Sequence, residues 1–181
     1  MLIQEAQREM RATFLGGFAG QGVSGLIWLL SAALASWVSA TAGIWTLVAL
    51  GFFTFPLTQL ALRAMGRRPS LSPENSLNGL AMQVAFTLPL NLPLVAAATL
   101  YRLEWFYPAF MVALGTHYLP FVFLYGMPHF ALLAALLIGG GVVIGLYGPG
   151  PIALGGWITG LVLLLFAFVG RAVVLRENRA G

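Results

Sequence analysis

Few side chains in this sequence could do chemistry, and the most informative one sits inside an uncharged stretch. His117 lies in Gly115-Thr116-His117-Tyr118-Leu119-Pro120-Phe121, within a helical turn of Pro120, where a freed carbonyl can accept from its ring. An ionisable ring inside an apolar helix is costly and points to function by default. Other polar groups at a similar depth are Gln21, Thr58, Gln59, Asn78, Gln83, Thr87 and Tyr118. Gln83, Thr87 and Asn91 recur every four residues, so they share one helix face. Together these residues describe a polar pocket around His117, open to the cytoplasm and suited to a small neutral or lipid-like molecule. The competing reading is a set of inter-helix hydrogen bonds, about 0.6 kcal/mol per pair, that only holds a bundle together.

Nucleophilic chemistry would rest on Ser24. Gly22-Val23-Ser24-Gly25 resembles the GxSG of rhomboid intramembrane proteases, and His117 would be its base, since each lies about twelve residues into its span. In rhomboids three core spans precede the serine, whereas Ser24 falls in the first span here. Gly20-Gln21-Gly22-Val23-Ser24-Gly25 also matches GxGxxG, but a dinucleotide site needs a preceding strand and an acid about 20 residues on. No acid follows until Glu74. His129, just after Pro128, reads as an interface residue. With His117 it makes no metal site, because any third ligand would be a glutamate and all of these lie at span ends or in loops. No cofactor is expected.

The elements that must position these residues follow from charge. The chain has 181 residues, 60% hydrophobic and 8% charged, and its mean hydropathy is +0.91. That is about a third of the charge of an ordinary soluble domain. No charged residue occurs between Arg11 and Arg63, nor from Trp105 to Gly170. Each of those runs is long enough for two membrane spans of roughly 20 residues. The expected fold is therefore an all-α integral membrane protein of six transmembrane helices. Residues 1–12 form a cytoplasmic segment, 13–174 the transmembrane domain and 175–181 a cytoplasmic tail. The spans run from about Thr13 to Val38, Ile44 to Ala64, Leu77 to Leu100, Trp105 to Gly126, His129 to Tyr147 and Gly155 to Val174. Gly148-Pro149-Gly150-Pro151 supplies the last turn.

With both termini cytoplasmic, Arg8, Arg11, Arg63, Arg67, Arg68, Arg171, Arg176 and Arg179 lie inside and only Arg102 outside. This bias follows the positive-inside rule. The aromatics Trp37 and Trp45, Tyr101, Trp105 and Tyr107, and Tyr147 and Trp157 flank the three outer turns. Ala33-Leu34-Ala35 could pass for a signal-cleavage site, but the apolar run before it exceeds the usual 7–15 residues, so it reads as an uncleaved first span. Cysteine and aspartate are both absent. That excludes disulfides, thiolate metal sites and any Ser-His-Asp triad within the chain. The net charge of +4 meets lipid phosphates at span ends, so nucleic acid is not an expected partner.

Glycines at four-residue spacing (Gly16 with Gly20, Gly141 with Gly145, Gly156 with Gly160) let helix backbones approach closely. Such faces could meet within one chain, in a homo-oligomer or in a larger membrane complex. Pro73-Glu74-Asn75-Ser76-Leu77-Asn78-Gly79-Leu80 and Gly115-Thr116-His117-Tyr118-Leu119-Pro120-Phe121 resemble motifs of a bacterial family of small six-span membrane proteins of unknown function. Its members carry a short charged N-terminal helix and a G-[AT]-H-[FY]-x-P motif in the fourth span. The resemblance implies the topology and singles out His117 and Asn78 without implying an activity. Glu74-Asn75-Ser76 stands where the family keeps Asn-Pro-Leu. Three functions are compatible with these readings: a non-catalytic accessory or self-associating subunit of the bacterial inner membrane, a binder or carrier using the His117 pocket, and a Ser24/His117 hydrolase.

Overall fold

A computed structural model describes residues 1–67, 69–148 and 150–180. Arg68, counted above among the inner arginines, Pro149 of the expected last turn and Gly181 of the tail lie outside the described residues. The described residues form helices and turns without strands. The helices are α1 (Ile3–Phe14), α2 (Phe18–Trp37), α3 (Ala40–Phe52), α4 (Thr54–Ala64), α5 (Leu77–Tyr101), α6 (Phe106–Tyr118), α7 (Phe121–Tyr125), α8 (His129–Tyr147) and α9 (Leu154–Ala180). Five helical stretches are long and apolar enough to cross a membrane, and α3 with α4 makes a sixth if the pair is one span.

Local chemistry explains where these helices break. The second expected span is bent by 63° between α3 and α4. Pro56 has no N–H for the carbonyl of Phe52, and its ring crowds that carbonyl, so the ladder fails one turn before the proline. The fourth span breaks between α6 and α7 at Leu119-Pro120 for the same reason. The first span begins with a break as well. Leu15–Gly17 form a single 3₁₀ turn with φ of 52° at Leu15, 63° at Gly16 and 86° at Gly17. Glycine takes such angles freely, while Leu15 is strained there. α3 starts at Ser39, whose hydroxyl accepts from the Ala42 N–H at 3.1 Å, a serine N-cap.

α2 and α9 run antiparallel through the centre of the bundle, and small residues set their separation. A β-carbon placed at Gly160 would lie 3.0 Å from the Gly25 carbonyl oxygen and 2.6 Å from Leu29 Cγ. One at Gly156 would meet Ala32 at 3.0 Å, and one at Gly16 would meet the Gly170 carbonyl at 2.7 Å. α6 and α8 repeat the device: a β-carbon at Gly141 would lie 2.6 Å from the Pro108 carbonyl oxygen, and one at Gly115 would meet Ile138. The glycine faces are thus seams inside this chain. Gly20 and Gly145 are less tightly packed, a β-carbon there lying 3.8 Å from Thr58 and 3.4 Å from Pro108. Trp28, Tyr107 and Phe110 fill the space between α2 and α6. Ser31 donates to the Gly43 carbonyl at 2.8 Å and accepts from Tyr107 at 2.6 Å, which ties α2, α3 and α6 together.

Candidate functional site

His117 is joined to α5. Its Nδ1 lies 2.9 Å from Thr87 Oγ1, and that hydroxyl is also 2.7 Å from the Val84 carbonyl. A hydroxyl has one proton. With the carbonyl accepting it, His117 donates from Nδ1 and its Nε2 is left as an acceptor. Asn91 closes the same face by donating to the Thr87 carbonyl at 2.7 Å. Around the ring, Phe121 and Tyr118 lie at centroid distances of 5.2 and 5.5 Å, and Tyr118 stacks on Phe130. The glycine of the motif, Gly115, brings α6 onto α8, and Pro120 ends α6 just beyond the ring.

The other expected pocket residues are spread more widely. Gln83 and Asn78 are exposed on α5, and Gln59 is half-buried on α4. None of Gln21, Gln59 and Gln83 hydrogen-bonds His117 among the described residues, and neither does the half-buried Ser24. Gln21 is 2% exposed, and neither its Nε2 nor its Oε1 has a partner. It sits in the first turn of α2 beside the Leu15–Gly17 break: a β-carbon at Gly17 would lie 3.8 Å from Gln21 Cδ and 3.2 Å from the Phe130 ring. His129 stacks on Phe130 with centroids 4.5 Å apart, and its buried Nε2 is likewise unpartnered. Two orphaned polar groups therefore flank one broken helix. An unmet amide in an apolar interior costs about 1–3 kcal/mol. Among the described residues, no group of three His or Glu side chains could hold a metal ion.

The densest polar network surrounds the N-terminal segment. α1 is strongly amphipathic, burying Ala6 and Met10, and it is clasped from three sides. Gln7 Nε2 donates to the Phe123 carbonyl and Arg11 Nη1 to the Tyr125 carbonyl, each at 2.6 Å. Arg11 Nε pairs with Glu177 Oε2 of α9 at 3.0 Å. Asn75, 3% exposed, donates to Glu9 at 2.7 Å and to the Ala6 carbonyl at 3.2 Å, while its Oδ1 caps α5 by accepting from the Leu77 N–H at 3.0 Å. Ser72 donates to Glu9 through both its N–H and its hydroxyl. Asparagine just ahead of an apolar run was the available signal for this cap. The clasp itself joins residues 63 to 166 positions apart, a pairing that no local pattern encodes.

These features define an all-helical protein with five helical stretches, or six if the bent α3–α4 pair is one span, long and apolar enough to cross a membrane. The chain belongs to the family of unknown function DUF7010, whose family model matches residues 3–172. No curated protein and no solved structure matches it.

Proposed function

We propose that this chain is a non-catalytic, multi-pass subunit of a bacterial cytoplasmic membrane, with both termini inside, that self-associates through the outer face of α5. The observation that carries this reading is Gln83. α5 packs chiefly against α6, and its other side exposes Gly79, Gln83, Phe86, Leu90, Leu94 and Ala97, each three or four residues from the last. That is the spacing of a helix–helix seam. A β-carbon at Gly79 would meet nothing within 4 Å, so a second helix can approach there. An exposed amide within a span needs a partner in place of lipid. A two-fold axis along the membrane normal brings the two copies of Gln83 to the same depth, and each amide both donates and accepts. The arginine distribution supports the orientation.

Gln83→Leu leaves the fold untouched because the side chain is exposed. It is expected to lower the dimer fraction about three- to tenfold, which native mass spectrometry of gently extracted protein reads directly. A monomer without the substitution, or a dimer indifferent to it, sinks the proposal.

A second reading is favoured by the orphaned Gln21 amide: a binder of a small neutral or lipid-like molecule at the Leu15–Gly17 break. It shifts the expected pocket away from His117, whose Nδ1 is already engaged by Thr87. A small molecule should then be carried through purification by the native chain and lost from Gln21→Leu. Native protein that carries nothing would overturn this reading.

A further inference from the structure

α6 and α8 pack at Gly141, and an open groove runs beside Gly141 and Gly145 toward Trp105. Its walls are Trp105, Pro108 and Val112 on one side and Gly141, Gly145 and Leu146 on the other, all apolar. The groove exists because Gly145 places no side chain across it: a β-carbon there meets only Pro108 Cβ, at 3.4 Å. Tyr101 and Trp105 pair at 5.5 Å at this end, the aromatic signature of a membrane–water interface.

The lip of the groove is charged. The Arg102 guanidinium lies 5.8 Å from the centroid of the Trp105 ring, which is itself part of the groove wall. Glu104 precedes Trp105 in the chain. Both charged side chains are exposed, and neither forms an ion pair among the described residues, where Arg11–Glu177 is the pair observed. We propose that this is a phospholipid site selective for a zwitterionic headgroup with a primary amine, of the phosphatidylethanolamine type. One acyl chain fills the groove, the phosphate meets Arg102 and the ammonium meets Glu104. The two charges of opposite sign decide the class. An anionic headgroup without an amine satisfies Arg102 but leaves Glu104 facing like charge. A trimethylammonium headgroup offers Glu104 no N–H, whereas a primary ammonium offers three. This inference is independent of the α5 seam.

Trp105 is the reporter. The full chain is placed in phosphatidylcholine nanodiscs containing a minor fraction of lipid with brominated acyl chains, which quench tryptophan on contact. The Trp105 share of the fluorescence is obtained by difference from Trp105→Phe. Brominated phosphatidylethanolamine is expected to quench it at roughly threefold lower content than brominated phosphatidylcholine or phosphatidylglycerol. Glu104→Gln should erase that preference. Gly145→Leu, whose side chain would occupy the open groove, should reduce quenching by all three lipids while circular dichroism shows an intact bundle. Equal quenching by the three lipids means ordinary surrounding lipid and overturns the proposal. So does a preference for phosphatidylglycerol, or a phosphatidylethanolamine preference that survives Glu104→Gln.

Discussion

Gly170→Ala is expected to destabilise the folded chain by about 2 kcal/mol, although it adds one methyl group to a helix. A β-carbon at Gly170 would sit 2.5 Å from the Gly16 carbonyl oxygen, and Gly16 reciprocates at 2.7 Å to the Gly170 carbonyl. Both obstacles are backbone, so no side-chain rotation relieves them, and α9 would have to move off the start of α2. Overpacking of this kind costs about 1–3 kcal/mol and sometimes more, against a gain of up to about 1 kcal/mol from alanine's helix propensity. Gly139→Ala is the matched control, because a β-carbon there meets nothing within 4 Å. Unfolding in mixed micelles, followed by tryptophan fluorescence, should separate the two variants, and equal stabilities would sink the claim. Oligomeric state should be unchanged by either, since the seam lies within one chain.

The second large effect belongs to Asn75. Asn75→Ala removes two donors to α1 and the cap of α5 at once. At about 1 kcal/mol per hydrogen bond, loss of the two bonds to α1 makes its local opening about 2 kcal/mol easier. Amide exchange across α1 should accelerate roughly thirtyfold. Unchanged exchange would mean that Arg11 and Gln7 hold the helix alone. The same contact carries a pH dependence. The side-chain hydrogen bond from Asn75, and then the Ser72 backbone N–H, hold the Glu9 carboxyl below its ordinary value of 4.5. A carboxylate stabilised in the folded state contributes fully above its unfolded pKa, and the contribution disappears as pH falls through the folded one. Protection of the α1 amides, taken against their intrinsic exchange rates, should therefore fall on acidification below about pH 4.5, and Asn75→Ala should flatten that response.

The helices were legible because an uncharged apolar run has few other fates in water or lipid. His129–Tyr147 begins and ends where Pro128 and Gly148 predict. The bend at Phe53 is hidden in the sequence, because Pro56 sits in a stretch whose hydropathy alone reads as one span. The glycine spacing exposed small faces but could not say which helix each would meet. Gly16 shares its helix face with Gly20 in the sequence, yet its close partner is Gly170, more than 150 residues away. Of the polar residues, His117 and Thr87 meet as neighbours on adjacent helices, whereas Gln83 faces outward. Depth along a span can be counted from sequence; rotation about the helix axis is set by packing, and α5 exposes so many apolar residues that its pattern carries no inward side.

The pairing of α2 with α9 has a consequence in time. Roughly 115 residues separate the end of α2 at Trp37 from the start of α9 at Leu154. At translation rates of about 5–20 residues per second, α2 waits on the order of ten seconds for its partner to emerge. During that interval its small face, from Gly25 to Ala32, has no protein surface to meet, and Arg11 has no Glu177. The newborn chain is thus an open bundle until α9 is made, and a ribosome that stalls ahead of Leu154 leaves a product that cannot close.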